Sequence, residues 1–194
     1  VRFVGECVAV VVAEDPYQGA DAADAVEVDY KPLPVAVDLE DAATDATVIH
    51  DRVGTNLAID FADLGMATGI SDESFFSDCE VVLEGRVVHQ RTAAAPLEPR
   101  STAAAWDHDK LVVWISNQGP HSVRSVLEAL YGDRANGGVQ VIVPDVGGGF
   151  GAKLAPYPEE VLLPWLSATV GRPVRWFETR TENMLAMGPG RAHV

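Results

Sequence analysis

Four glycines in five residues, Gly147-Gly148-Gly149-Phe150-Gly151, follow closely on the strand-like run Val139-Gln140-Val141-Ile142-Val143 and constrain this chain more than any other feature. A loop of this kind must take positive φ values or pass very close to something, and glycine alone tolerates both. The spacing Gly147-x-Gly149-x-x-Ala152 fits a loose dinucleotide pattern. Its context fails, because Pro156 and Pro158 interrupt the helix that would have to begin at once, so no helix N-terminus faces a pyrophosphate. A P-loop fits worse: Ala152 precedes Lys153, and Leu154 replaces the Ser/Thr that would bind magnesium. A tight turn with no ligand is the remaining plain alternative.

The flanking sequence supplies a scaffold for the loop. Residues 101–106 and 111–115 read as two strands joined by a hairpin turn at Asp107-His108-Asp109-Lys110. After the loop Ser116-Asn117-Gln118-Gly119-Pro120, the spacing Val123, Val126, Leu127, Leu130 predicts an amphipathic helix ending near Gly132. A helix through residues 159–170 and a strand over 174–177 follow the glycine loop. Toward the N-terminus, residues 8–13 and 26–30 read as strands flanking an alanine-rich helix that Glu14-Asp15-Pro16 begins. Residues 38–78 show little periodicity and read as a long surface connector with turns at Gly54, Gly65 and Gly69. A further strand, broken at Gly85, is expected over residues 80–90.

Charge and cysteine content narrow the function classes. Acidic residues number 29 against 14 basic ones, for a net charge of -15, and no Lys/Arg cluster offers a face for phosphates, so nucleic acid and anionic membrane are poor partners. Cys7 and Cys79 stand apart with no His at ligand spacing, which predicts neither a disulfide framework nor a protein-ligated metal and fits a reducing, cytoplasmic compartment. The longest apolar run falls far short of the roughly 20 residues of a membrane helix.

Three motifs in collinear order carry a family resemblance: Asn117-Gln118-Gly119-Pro120-His121, the segment Gly147-Gly148-Gly149-Phe150-Gly151-Ala152-Lys153, and the stretch from Gly171-Arg172-Pro173 to Glu178-Thr179-Arg180. Together they resemble the large, molybdopterin-binding subunit of the xanthine dehydrogenase, aldehyde oxidase and aerobic carbon monoxide dehydrogenase family. Phe3-Val4-Gly5-Glu6-Cys7 and Val28-Asp29-Tyr30-Lys31-Pro32 resemble the end of that family's α/β hammerhead domain, and Ala95-Pro96-Leu97-Glu98-Pro99-Arg100 the start of its cofactor-binding region. The implied fold class is α+β: a hammerhead remnant over residues 1–39, a connector over 40–79, and mixed strands with two helices over 80–194.

The resemblance also implies chemistry. The intact protein would carry a molybdenum-pterin cofactor, as molybdopterin or its cytosine dinucleotide, and would hydroxylate an aldehyde or N-heterocycle with oxygen from water, or oxidise carbon monoxide with copper beside molybdenum. Iron-sulfur and FAD units on partners would take the electrons, in an oligomer. Gln118 matches a glutamine whose amide donates to a metal oxo ligand, and Gly149, Phe150 and Gly151 match the segment passing the metal and pterin, where glycine lets backbone N–H groups reach cofactor oxygens and the ring walls the substrate side. Glu98 and Arg100 match a motif whose implied role is structural, through an ion pair or buried bonds near the domain junction, and Arg172 and Arg180 resemble framework positions with no cofactor role. His121 is expected to cap or pack the next helix. Leu154 stands where purine-oxidising members carry a glutamate, which argues against purine. The family's general base lies outside these residues, so the 194-residue chain alone is expected to be inactive. A non-catalytic binding or assembly module of the same fold is the competing class.

Overall fold

The computed structural model describes residues 1–59 and 73–193. It forms two compact units, one of Val1–Asp29 with Thr92–Gly190, the other of Tyr30–Arg91 with the residues from Arg191 onward. The expected turns at Gly65 and Gly69 lie outside the described residues.

In the first unit, α1 (Pro16–Asp24) starts where Asp15 caps the Tyr17 and Gln18 amides and Pro16 takes the first helical position. The expected strands on either side of α1 are not strands. Residues 8–13 and 26–30 run without ladder partners among the described residues, and Val8, Val10, Val11 and Val12 are exposed. An apolar run favours extended backbone, but only a second chain segment at hydrogen-bonding distance turns it into a sheet.

In the second unit, polar side chains order part of the stretch expected as an irregular connector. The short helix α2 (Leu39–Ala43) is capped by Asp38. Asn56 then receives the Ile49 amide and donates to the Ala42 and Thr47 carbonyls, while Asp45 accepts from Thr55 Oγ1 and the Asn56 amide. Gly54 turns at φ +79° as expected. A 3₁₀ turn covers Glu73–Phe76. Of the strand expected over residues 80–90 only its end forms, as β1 (His89–Thr92).

The scaffold of the glycine loop lies in the first unit. Strands β2 (Ser101–Asp107) and β3 (Lys110–Ile115) pair antiparallel, with Asp107 opposite Lys110 and His108-Asp109 as the turn. The helix α3 (Pro120–Tyr131) crosses over to β4 (Val139–Ile142), which runs parallel to β3. Next come α4 (Pro158–Val170), ended by Gly171 in left-handed conformation at φ +68°, and β5 (Val174–Phe177), antiparallel to β2. The four-stranded order is β4-β3-β2-β5. Alternation puts Ala104 from β2 and Leu111, Val113 and Ile115 from β3 on one face, where Val123 and Leu127 of α3 and Leu163 of α4 close the core. Val126 and Leu130, expected on the apolar stripe of α3, are exposed instead. Tyr131 donates to the Val161 carbonyl at 2.6 Å and Trp106 Nε1 to the Pro164 carbonyl at 2.9 Å, fixing α4 against α3 and the sheet.

Besides α2 and the 3₁₀ turn, two more elements were not anticipated. Helix α5 (Arg180–Ala186) begins at a capping box in which Thr179 accepts the Glu182 amide and Glu182 accepts the Thr179 amide, and β6 (Gly190–His193) pairs with β1.

Candidate functional site

The β3–α3 loop and the glycine loop meet side to side. Gln118 donates its peptide N–H to the Lys153 carbonyl at 2.8 Å, and its side-chain Oε1 accepts the Gly151 amide at 3.0 Å and the Lys153 amide at 3.2 Å. Two donors on one oxygen settle which end of the carboxamide is which. The Nε2 group has no acceptor among the described residues, and Gln118 is exposed. Gly149 is what permits this fit: a Cβ there would sit 2.3 Å from Gln118 Oε1.

The loop backbone is unusual at three of its residues. Gly148 and Gly151 take φ of +101° and +84°, and Phe150 between them takes φ +53°, a conformation that costs a bulky L-residue on the order of 1–3 kcal/mol. Phe150 is 75% exposed. An aromatic side chain held in strain and in water belongs to a surface built to meet something rather than to a core. The Gly147 amide goes to Glu98, the Ala152 amide to the Gly149 carbonyl and the Gly151 amide to Gln118. That leaves the Gly148, Gly149 and Phe150 amides without acceptors among the described residues. Gly151, expected to offer its N–H outward, turns it inward.

Beneath the loop lies a residue to which the sequence reading gave no role. Lys153 is 1% exposed, and its ammonium donates to the Glu98 carbonyl and to Ser116 Oγ, both at 2.8 Å, with the Glu98 carboxylate at 3.3 Å. Burial pushes the Glu98 carboxyl up, but the Gly147 amide, the Ser116 hydroxyl and the Lys153 ammonium together hold it below the usual carboxylate range.

A second buried cluster anchors the chain before β2. Arg100, 1% exposed, meets Glu178 through Nε at 2.8 Å and through Nη2 at 2.5 Å, lies 3.4 Å from Glu159, and stacks on Tyr157 with 4.0 Å to the ring centroid. Arg180 holds the Pro96 and Leu97 carbonyls at 2.8 and 2.9 Å, and Arg172 pairs with Glu14 on the surface. Glu98, Arg100 and Arg180 thus make the structural bonds that their motif positions implied, whereas the Arg172 pair is exposed to solvent. His121 is not a cap: α3 starts at Gly119 without a side-chain cap, and His121 is exposed.

Glu160 is the misfit of this cluster. It is 2% exposed, one oxygen accepts the Tyr157 amide at 2.8 Å, and the other has no partner among the described residues. Burial, with Glu159 and Glu178 adding repulsion, pushes its carboxyl up to about 7 against the pull of the Tyr157 amide and Arg100. The folded protein therefore binds a proton that the unfolded chain has lost between pH 4.5 and about 7. Stability falls as pH rises through that window, by about 3 kcal/mol at full ionisation. Glu160→Gln is expected to flatten this fall. Urea midpoints of both proteins from pH 4.5 to 8 check it, and parallel curves would refute the assignment.

Among the described residues no group of three or more His, Cys, Asp or Glu is placed to hold a metal, both cysteines are free, and no helix is long and apolar enough to cross a membrane. Comparison with known proteins identifies the family. Residues 49–194 match the molybdopterin cofactor-binding domain family. The chain is 38% identical to the nicotine 6-hydroxylase large subunit of Paenarthrobacter nicotinovorans, over 96% of its own length and 22% of that protein's. It is 35% identical to the carbon monoxide dehydrogenase large chain of Hydrogenophaga pseudoflava, over 95% and 24%. Quinoline 2-oxidoreductase from Pseudomonas putida 86 superposes with a TM-score of 0.81 at 33% identity, covering 98% of this chain and 24% of that one. The chain thus spans about a quarter of the length of the relatives it matches, and it belongs to the molybdopterin cofactor-binding domain family, in the branch of the xanthine dehydrogenase and carbon monoxide dehydrogenase large subunits.

Proposed function

We propose that the protein containing this chain is a molybdenum-pterin hydroxylase acting on an N-heterocycle or aldehyde, and that these residues form one wall of its cofactor pocket. The observation that carries this is the carboxamide of Gln118, whose oxygen is consumed by the glycine loop while its NH₂ stays free at the surface. An oxo-type ligand offers lone pairs and no hydrogens, so it suits that end of the amide. The unengaged Gly148, Gly149 and Phe150 amides extend the same donor surface. Gly151 shapes it without donating.

When bound, the pterin-held molybdenum supplies a two-electron oxidation in which a C–H bond becomes C–OH with oxygen from water, releasing two protons and two electrons. The present residues orient that centre with neutral donors, and Phe150 and the half-exposed Leu154 offer apolar surface to a substrate. Leu154 accepts no side-chain hydrogen bond, which disfavours purine. The names of the nicotine- and quinoline-acting relatives favour a heterocycle. Carbon monoxide oxidation is the second reading, supported by the similarity to the carbon monoxide dehydrogenase large chain. We assign the general base to the rest of the parent protein, the electrons to iron-sulfur and FAD units on partners in an oligomer, and the pterin to the plain or cytosine dinucleotide form. The domain bounds proposed from sequence, at residues 39 and 79, go with this reading, and the 194-residue chain by itself is expected to turn over nothing.

The test is to produce the full-length protein with its accompanying subunits under molybdate supply, measure bound molybdenum and pterin, and follow dye reduction with N-heterocycles, aldehydes and carbon monoxide. Metal-free, inactive protein despite cofactor supply would leave the assembly-module reading standing. Gln118→Ala in that protein is expected to lower turnover about 10–100-fold. Its cost in stability should be about 1–2 kcal/mol, from two lost amide bonds. An equal loss of folded protein would make Gln118 structural.

A further inference from the structure

A lysine ammonium taken out of water is costly unless all its protons find acceptors. Lys153 meets that condition: one proton goes to the Glu98 carbonyl at 2.8 Å, one to Ser116 Oγ at 2.8 Å, and the third is shared by the Glu98 carboxylate at 3.3 Å and the Pro99 carbonyl at 3.5 Å. The carboxylate in turn binds the Ser116 hydroxyl at 3.0 Å and the Gly147 amide at 2.6 Å. Residues 98–99 and 116 thus meet directly on the Lys153 ammonium, and Gly147 is joined to it through the Glu98 carboxylate. The same residue's peptide groups are those that grip Gln118, its N–H on Oε1 at 3.2 Å and its carbonyl on the Gln118 N–H at 2.8 Å.

We infer that Lys153 is the positioning residue for Gln118, its buried ammonium fixing the peptide groups that decide which way the carboxamide points. An apolar residue of like volume with an uncharged partner would fill the space at similar stability, so stability alone does not call for a cation here. What the cation adds is direction. Its bonds tie the glycine loop to the β3 end that carries Gln118, so neither slides against the other. Lys153 itself makes no contact on the open side of the loop and acts only through Gln118. The inference rests on the function proposed above.

The test is a double-substitution cycle in the full-length, molybdenum-loaded protein with its subunits, comparing Lys153→Met, Gln118→Ala and both together, with Ser116→Ala as a milder variant that keeps the ion pair. Lys153→Met is expected to lower kcat about 10–100-fold while molybdenum content is kept, and to displace the molybdenum electron paramagnetic resonance spectrum of the reduced protein in the same sense as Gln118→Ala. On the Gln118→Ala background it should cost no more than about 2-fold further. Ser116→Ala should give a smaller displacement of the same sense. Multiplying effects in the double variant, or an unmoved spectrum in Lys153→Met, would overturn the inference. Should Lys153→Met fail to fold, Ser116→Ala with and without Gln118→Ala decides by the same criteria. Unsubstituted protein that holds no molybdenum would overturn the functional reading and this inference together, whereas loaded, active protein with multiplying effects overturns the inference alone.

Discussion

Arg100→Met should cost about 3–5 kcal/mol of folding stability, the typical penalty for stranding one partner of a buried ion pair. The arginine is the cation at the centre of three carboxylates, Glu159, Glu160 and Glu178, and the Glu178 side chain has no exposed surface. Burial raises the Glu178 carboxyl, but bonds from the Arg100 side chain and backbone amide, with Asn183, hold it below the ordinary carboxylate range. Without the guanidinium those bonds shrink to two, and the carboxylate is left in a low dielectric. A loss of that size consumes much of the 5–15 kcal/mol that typically holds a domain together. Urea unfolding measures it. Adding Glu178→Gln to the methionine variant should restore part of the loss, and a single-variant cost below about 1 kcal/mol would show that water relaxes into the cluster.

The second large effect is expected at Gly149. An alanine Cβ would lie 2.3 Å from Gln118 Oε1 and 2.5 Å from its Cδ, so the carboxamide must leave its place. Overpacking of this kind costs roughly 1–3 kcal/mol. The heavier consequence is functional, since displacing a positioning group by about 1 Å is enough to lower turnover about 100-fold. Gly149→Ala should therefore act on turnover as Gln118→Ala does, or more severely, with a small change in urea midpoint. Near-normal turnover would mean that the amide does not face the reacting centre.

Strands β2 to β5 and helices α3 and α4 were legible from the sequence because each buries a periodic apolar face within the same layer. The extended segments beside α1 were misread because a strand is a property of two segments, and composition describes only one. Residues 38–59 looked featureless since their order comes from Asn56 and Asp45, whose bonds to distant carbonyls and amides leave no periodic trace. Helix α5 did leave a signal, the Thr179-x-x-Glu182 capping box, which marks a helix start without any apolar stripe. At the site, Gln118, Gly149 and Phe150 stood out through their motifs. What no motif conveyed was that Gly151 would spend its amide on Gln118, or that Lys153 would be buried. Both follow from the packing of two loops far apart in the chain.

The arrangement of the Gln118 carboxamide sets a rule about hydrogen. With its oxygen saturated by two amides, the group shows only N–H to whatever faces it and cannot flip to greet a donor without stranding both. A ligand atom at that position is rewarded for a lone pair and penalised for a proton. On the proposed function, the loop would discriminate by protonation state as well as by shape. Occupants should be retained in their deprotonated form and loosened when they pick up a hydrogen.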